Sequence, residues 1–411
     1  MCEDLAPDDV RTEPAGGRRR SFLAGGMAAL GGLALAGCVP GGGATSAAVG
    51  TPAGAPPAAA TSSSGAVATR TRVVLLGTAG GPAILTNDRC GVSTAVVYGD
   101  RVYLVDLGHG SHNRLIDAGL APQAVGASSL AHVRGIFFTH LHSDHTAEWP
   151  AVYATGGQNI AGRPWNEPIQ VFGPGDRGSM VRVFPPGRKE PEVFAPDNPT
   201  PGIKGTTEAL RTAFATDLND RMRDSNFGNP DTTFEVHDID LAGILDVDPD
   251  GVPPRMSKPL QVWRDGDVTV TATLVDHHPT APAFAYRFDS PDGSVVISGD
   301  TCISENLIDL ARDCDVLVHE VIDPAFVDRL AADLPAEARA ALTQHLLGAH
   351  TTIEQVGRDV AEKAGAKTLA LSHFVPANNP PETWEPAQKG YSGTLVVGSD
   401  LRQIAVGTTT R

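Results

Sequence analysis

Short apolar runs recur along the chain after about residue 70, and most of them end in a glycine or a polar residue. Runs of this length, rich in Val, Ile and Leu, are typical of buried β-strands. The pattern predicts strands at 72–77, 93–97, 101–106, 136–138, 168–174, 268–275, 283–288, 294–298, 315–318, 368–371, 393–398 and 402–406. Helices are predicted at 147–155, 206–224, 306–312 and 335–347. Strands and helices in this alternation favour one large α/β domain.

The regular apolar runs stop between residues 175 and 259, where Pro, Asp and Gly dominate and one helix is predicted. The segment holds few lysines and arginines against many acidic residues. An insertion of this size between strand-rich parts is typical of a lid or a substrate-binding arm. The alternative is a surface insertion without a function.

The first 37 residues resemble a bacterial export signal. Arg18-Arg19-Arg20-Ser21-Phe22-Leu23 resembles the twin-arginine pattern R-R-x-F-L, and the mildly apolar run that follows is too short and glycine-rich to span a membrane. Leu35-Ala36-Gly37-Cys38 resembles the lipobox, in which the signal is cut before a cysteine that then carries lipid. We therefore expect residues 1–37 to be removed, and the exported protein to be anchored through Cys38 on the outer face of the cell membrane. An uncleaved anchor and a plain secretory peptide are the alternatives.

Residues 38–70 are predicted to be a flexible tether. From residue 41 to 69 the chain is almost entirely Gly, Ala, Ser, Thr and Pro, so it cannot bury enough apolar surface to fold. The folded domain is expected at 71–411. Removal of residues 1–37 takes away four basic and five acidic residues, which moves the formal charge from −16 to −15. Such an acidic surface repels polyanions.

Metal-binding side chains are concentrated in Thr139-His140-Leu141-His142-Ser143-Asp144-His145, directly after the apolar run 136–138. Three imidazoles and a carboxylate beside a buried strand need partners, and a metal ion supplies them. His140 and His142 alternate along an extended backbone and can face one ion. Asp144 and His145 lie where the chain turns towards a helix and can face a second. The stretch therefore predicts half of a two-metal site.

Other predicted strands also end in histidine or aspartate. One ends in Asp276-His277-His278, where adjacent side chains face opposite sides and only one histidine can reach the metals. We choose His277, with His278 as the alternative. Asp300 leaves a buried strand through a glycine, which places it well to bridge two ions, and His373 follows the strand at 368–371.

Two further strand ends are predicted to support the site. Asp106 ends a strand and is expected to orient a metal ligand rather than to bind metal. The glycine loop 77–82 is either a close approach of backbone to the site or an ordinary tight turn.

His350 precedes a predicted helix start, at which Thr351 and Glu354 fit a capping box. The helix dipole there disfavours a charged imidazole.

The order H-x-H-x-D-H, strand-His, G-D-T, H-E, His-Thr, S-H-F resembles the metallo-β-lactamase superfamily. Within it, the chain is most similar to the branch of tRNA 3′-processing endonucleases (ribonuclease Z) and zinc-dependent arylsulfatases. The resemblance covers residues 73–406 apart from the insertion, and the segments 76–82, 282–288 and 315–320 look more like the arylsulfatases. It implies a four-layer αββα sandwich.

The resemblance also implies two zinc ions, with Mn²⁺ or Fe²⁺ as alternatives, held by seven side chains: His140, His142 and His277 for the first ion, Asp144, His145 and His373 for the second, and Asp300 for both. Glu320 and His350 match the extra acid/base pair of this branch, and Asp144 is expected to take part in catalysis with them. A hydroxide formed from a water between the two ions would be the nucleophile. His350, steered by Glu320, would protonate the leaving group.

These features favour an exported dinuclear-zinc hydrolase of a small sulfate or phosphate ester. The alternative is a tRNA 3′-processing endoribonuclease, although export and the acidic insertion weigh against nucleic acid. A lactonase or β-lactamase would leave Glu320 and His350 unexplained, and a binding lipoprotein without activity would be expected to have lost a ligand. The expected partners are a small anionic ester and the membrane, with a homodimer left open.

Overall fold

The computed structural model describes residues 69–243 and 251–407. The predicted signal peptide and all but the last two residues of the predicted tether lie outside the described residues, as do residues 244–250 of the insertion. Within the described ranges, none of the helices has the length and apolar character needed to cross a membrane.

The first of two seven-stranded sheets, sheet A, is built mainly from the amino-terminal half. Its strands are β1 Thr71–Gly77, β2 Ser93–Tyr98, β3 Arg101–Val105, β4 Val133–Phe137, β5 Ile169–Pro174, β6 Phe234–Ile239 and, from the end of the chain, β14 Gln403–Ala405. The order across the sheet is β14-β1-β2-β3-β4-β5-β6. Neighbours from β3 to β6 run parallel, so their carboxyl ends lie along the same edge.

The second sheet, sheet B, contains β7 Leu260–Asp265, β8 Val268–Leu274, β9 Phe284–Ser290, β10 Gly293–Ile297, β11 Val316–Ile322, β12 Thr368–Val375 and β13 Thr394–Val397. The order is β13-β12-β11-β10-β9-β8-β7, and β10 to β13 run parallel. The last two strands of the chain therefore join different sheets, as the edge strand of each.

Helices cover the outer face of each sheet. Those before sheet B are α1 Ser111–Asp117, α2 Ser143–Thr146, α3 Trp149–Thr155, α4 Ile203–Ala213, α5 Ala215–Asp224 and α6 Pro230–Thr233. Those that follow are α7 Glu305–Leu310, α8 Pro324–Ala331, α9 Ala336–Ala349, α10 Ile353–Gln355 and α11 Glu362–Ala364, with a π-helical turn at Val356–Ala361. Short 3₁₀ turns lie at Gly156–Gln158, Pro381–Thr383 and Glu385–Gln388.

Alternating side chains of the apolar runs face different layers. In β1, Val73 and Leu75 pack into the core between the sheets, whereas Val74 and Leu76 pack towards the helices outside sheet A. A third core, which includes Val296 of β10, lies between sheet B and its helices. Three cores separate four layers, and the predicted αββα sandwich is confirmed.

The insertion is more regular than its sequence indicated. Residues 234–239 form β6, which pairs in parallel with β5 and extends sheet A. Neither β6 nor β7 was predicted, because each is an edge strand in which polar residues interrupt the apolar positions. The single helix predicted at 206–224 is two helices, α4 and α5, that meet at Phe214.

Candidate metal centre

The carboxyl ends of four strands, β4 in sheet A and β8, β10 and β12 in sheet B, meet at one edge of the sandwich. The segment 139–145 follows β4 in sheet A, whereas His277 follows β8 and Asp300 follows β10 in sheet B. His373 lies inside β12, which runs past the end predicted at residue 371. The Phe284 N–H donates to the Thr139 carbonyl oxygen at 2.8 Å, so backbone joins the two sheets at this edge.

The structure brings His140, His142 and His277 into a first donor cluster, in which one ligand atom from each lies within 4.8 Å of the others. His140 and His277 are buried, and His142 is exposed. The His277 Nδ1–H donates to the Ala349 carbonyl oxygen at 2.9 Å, which leaves Nε2 free to face the cluster. Burial lowers the pKa of His277 to about 3, so its imidazole is neutral, as a metal ligand must be.

Asp144, His145, Asp300 and His373 form a second donor cluster, and all four are buried. The His373 Nε2 lies 3.3 Å from Asp144 Oδ2 and 3.2 Å from Asp300 Oδ2. Asp300 Oδ2 is also 3.9 Å from the Nε2 atoms of His140 and His277. The Asp300 carboxylate therefore lies between the two clusters.

The chemistry of the donors fits divalent cations. His140 Nε2, His145 Nε2 and Asp300 Oδ1 are buried without a hydrogen-bond partner, which costs free energy unless an ion contacts them. Burial would lower the pKa of His145, but Asp300, Asp106 and Asp144 raise it. That excess of negative charge attracts a cation, and imidazole with carboxylate is a donor set that zinc accepts.

Asp106 lies directly behind the second donor cluster. Its Oδ2 is 2.8 Å from His145 Nδ1, and its Oδ1 accepts the Thr139 N–H at 2.8 Å. The left-handed backbone of Asp106, with φ of 59°, turns the carboxylate back under the 139–145 segment. The contact fixes His145 with Nδ1–H towards Asp106 and Nε2 towards the cluster.

The glycine loop 77–82 contacts the second donor cluster rather than forming a remote turn. A Cβ at Gly80 would lie 2.5 Å from His373 Nδ1, and the Gly81 N–H donates to Asp144 Oδ2 at 2.9 Å. Asp400, near the end of the chain, fastens this loop by accepting the Thr78 hydroxyl and the Cys90 N–H, both at 2.7 Å. Of the two interpretations offered by the sequence, the structure agrees with a close approach of the loop backbone to the site.

Glu320 and His350 lie beside the clusters as a hydrogen-bonded pair. Glu320 Oε1 accepts the N–H groups of Thr301 and Thr351 at 3.0 and 3.2 Å, and lies 3.0 Å from His350 Nδ1. Burial alone would lower the pKa of His350, but Glu320, with a further contribution from Asp300, raises it to about 9. The protein groups therefore favour a charged imidazole, and the expectation from the helix dipole was wrong because the nearby carboxylate dominates.

The capping box after His350 is displaced by one residue from its predicted position. Thr352 and Gln355 make the reciprocal hydrogen bonds at the start of α10, not Thr351 and Glu354. Thr351 is instead fully buried, and its hydroxyl donates to the Thr301 carbonyl oxygen at 2.6 Å. This bond helps to hold the two backbone amides that bind Glu320.

His278, the alternative to His277, lies in a different group. Its Nδ1 is 2.8 Å from Asp276 Oδ1, and together with Cys302 these residues form a half-buried cluster with ligand atoms within 4.8 Å of one another. Sequence reasoning did not find this cluster, although Asp276 and His278 flank His277. The described cysteines Cys90, Cys302 and Cys314 are free thiols.

The sequence profile of the Metallo-beta-lactamase superfamily matches residues 88–345. The chain belongs to this superfamily. Ribonuclease Z of Mycobacterium bovis (strain BCG / Pasteur 1173P2) is 30% identical over 338 residues, which are 81% of this chain and 98% of the relative. Ribonuclease Z of Mycobacterium marinum (strain ATCC BAA-535 / M) is 29% identical with the same coverage.

Among solved structures, human tRNase Z, short form, is similar with 18% identity and a TM-score of 0.50, covering 82% of this chain and all of that one. At this identity the likeness shows the shared fold. The resemblance to the branch that contains ribonuclease Z is confirmed, and this metallo-β-lactamase-fold chain is a metal-dependent hydrolase that acts on ester bonds.

Proposed function

We propose that this hydrolase cleaves phosphodiester bonds in RNA by the reaction of the ribonuclease Z type. The observation that carries the proposal is the position of Asp300 between two donor clusters, with the Glu320–His350 pair beside it. The names of the curated relatives support a phosphodiester in RNA as the substrate. This reverses the order in the sequence analysis, where a small ester stood first and nucleic acid was disfavoured because of the predicted export and the acidic insertion.

Seven side chains would hold two divalent ions: His140, His142 and His277 the first, Asp144, His145 and His373 the second, and Asp300 both. When bound, such ions lower the pKa of water towards neutrality and stabilise the negative charge that develops on a phosphoryl oxygen. Zinc is the ion that we propose from the imidazole and carboxylate donors.

His350 is the proton donor in this proposal. Its Nδ1 is engaged by Glu320, so Nε2 is the atom that can donate a proton to the leaving oxygen. Glu320 positions the ring because two backbone amides fix its carboxylate. Asp144 accepts the Gly81 N–H, which orients its carboxylate towards the second cluster.

A small sulfate or phosphate ester is the second candidate substrate, and charge favours it. The insertion 175–259 contains fifteen acidic and ten basic residues, and the chain carries a formal charge of −16. A protein that binds a long polyanion usually presents a basic surface, whereas a small ester needs only local contacts.

The test is hydrolysis of four substrates by the purified protein: precursor tRNA, bis(4-nitrophenyl) phosphate, 4-nitrophenyl sulfate and a chromogenic cephalosporin. We expect cleavage of precursor tRNA and of the phosphodiester, loss of both after chelation, and recovery with zinc. Cleavage of the sulfate without cleavage of RNA would favour the second candidate, and activity that survives chelation would exclude both.

The site assignment is tested by Asp300→Ala against Asp220→Ala, which removes an exposed aspartate of α5. We expect Asp300→Ala to abolish hydrolysis and to lower the bound metal, with an unchanged circular dichroism spectrum. Asp220→Ala is expected to behave as the natural protein does. Normal turnover by Asp300→Ala would rule out the assigned centre.

A further inference from the structure

A cavity of about 340 Å³, which we call the proline pocket, opens beside the first donor cluster. Its walls are the end of β5 with the following loop (174–177), the insertion at 199–206, the turn before β9 (280–282), and Leu141 with His142. A pocket of this size can enclose an aromatic ring with its substituents. Because His142 belongs to both the donor cluster and the wall, a group bound here would lie next to the metal centre.

The wall of the proline pocket combines apolar and polar side chains. Four of its residues are prolines: Pro174, Pro199, Pro201 and Pro282. Proline has a fixed φ and no N–H, so these four residues offer flat apolar surface without hydrogen-bond donors. The Thr280 hydroxyl lies 2.9 Å from His142 Nε2, which ties the wall to the donor cluster. The prolines of this wall can pack against the face of a planar ring.

Arg177 is the permanently charged side chain in the lining, and it is poorly satisfied. Its Nη1 donates to the Ala281 carbonyl oxygen at a long 3.5 Å, and its buried Nε has no hydrogen-bond partner. It forms no ion pair with any described residue. The neighbouring Asp176 uses Oδ1 for the Gly178 N–H and the Thr200 hydroxyl. A guanidinium has five N–H donors and stays protonated in proteins, so this one can still bind an anion.

We propose that the proline pocket binds the planar group of a phosphate ester and that Arg177 pairs with one of the ester's anionic oxygens. The inference rests on the proposed function and adds the substrate class: a ring joined to phosphate, as in a nucleotide or an aryl phosphate. Arg177 is then a specificity residue that the insertion presents to the metal centre.

The test is isothermal calorimetry on the zinc-loaded full chain with three probes: uridine 5′-monophosphate, phenylphosphonate and inorganic phosphate. We expect Arg177→Met to weaken the binding of uridine 5′-monophosphate by about 10-fold or more, because a charge-assisted hydrogen bond is lost. Arg177→Lys should restore part of the affinity, since it keeps the charge but not the planar donors.

Two further variants make the test specific. Arg188→Met removes an exposed arginine of the same insertion, and hence the same charge, and we expect unchanged affinity for every probe. Thr206→Phe fills the pocket, and we expect it to weaken binding of the two ring-bearing probes while binding of inorganic phosphate is retained. Tighter binding of uridine 5′-monophosphate than of phenylphosphonate would assign a nucleotide to the pocket, and the reverse order an aryl ester.

The inference would be overturned if Arg177→Met and Arg188→Met bound uridine 5′-monophosphate with equal affinity. It would also be overturned if Thr206→Phe bound all three probes as the natural protein does. If the chain hydrolyses phosphodiesters but Arg177→Met does not change its affinity for the probes, the pocket assignment fails and the proposed function stands. If the probes bind through Arg177 but no phosphodiester is cleaved, the proposed function fails instead.

Discussion

His350 lies 3.0 Å from Glu320 through Nδ1, so its Nε2 is the atom that can give a proton to a leaving oxygen. We expect His350→Ala to lower kcat by about 100-fold or more for a nucleoside leaving group, the range typical of lost general-acid catalysis. The kcat for bis(4-nitrophenyl) phosphate should fall far less, because nitrophenolate leaves without a proton. The measurement is kcat for the two substrate types in parallel. An equal loss for both would show that His350 does not protonate the leaving group.

Gly80 admits no side chain, because a Cβ would lie 2.5 Å from His373 Nδ1. We expect Gly80→Ala to displace the His373 ring and to lose the ion proposed for the second donor cluster, while the ion of the first cluster stays bound. Metal content measured by mass spectrometry checks this. Gly157→Ala is the matched control, since the nearest atom to its Cβ would be 3.4 Å away. Full metal content in Gly80→Ala would contradict the contact.

The sequence could predict which side chains lie close together better than it could predict the charge that they carry. Most of the proposed ligands follow a predicted strand closely in the chain, and the ends of predicted strands are visible as breaks in apolar runs. Alternation along a strand indicated that only one of His277 and His278 can face the metals, and the structure places those two rings in different clusters. The charge on His350 could not be predicted, because it depends on the distance to Glu320 across the fold rather than on the adjacent helix.

Asp265, at the end of β7, joins the two sheets. Its carboxylate accepts the Tyr103 hydroxyl of β3 at 2.9 Å and two N–H groups of Arg134 of β4 at 3.0 and 2.9 Å. Burial would raise the pKa of Asp265, but the hydrogen bonds from Arg134 and Tyr103 hold it below the ordinary value of 3.8. The ionised carboxylate therefore stabilises the fold above that pH, and the stabilisation is lost as the pH falls through the folded-state pKa.

We expect Asp265→Ala to lower the free energy of unfolding by about 3 kcal/mol at pH 7, the cost of leaving Arg134 without its buried partner. The difference from the natural protein should stay constant down to about pH 4 and shrink below it. Urea denaturation at several pH values measures this. Asp289→Ala breaks a more exposed pair with Arg287 and should cost less than about 1 kcal/mol. A difference that grows on acidification would contradict the assigned pKa direction.

Among the elements, the central strands were predictable and the edges of the insertion were not. Strands such as β1 and β10 are apolar on both faces because each lies between two cores, so their runs stand out in the sequence. In β6, Glu235 and Asp238 are exposed, and the sequence FEVHDI is as polar as the segment around it. The pairing that makes it a strand is with β5, some sixty residues earlier.

At the level of the whole molecule, the export prediction concerns residues that lie outside the described part of the chain. We expect Arg19→Lys with Arg20→Lys to keep the protein inside the cell, because the twin-arginine pattern is then lost. Cys38→Ala should release the exported protein from the membrane fraction. Cell fractionation with immunodetection measures both. Membrane association that persists in the Cys38→Ala variant would rule out the lipid anchor.

The fastening of the glycine loop by Asp400 has a consequence for biosynthesis. The proposed ligands extend from His140 to His373, and the loop that carries Gly80 and Gly81 is held by Asp400, which follows all of them in the chain. Until His373 has left the ribosome, the nascent polypeptide lacks one of the proposed donors and cannot form the complete centre. A product that stops before Asp400 lacks the fastening and the strand β14. Because that loop places Gly80 against His373 and Gly81 against Asp144, we expect such a product to bind less metal at the second donor cluster.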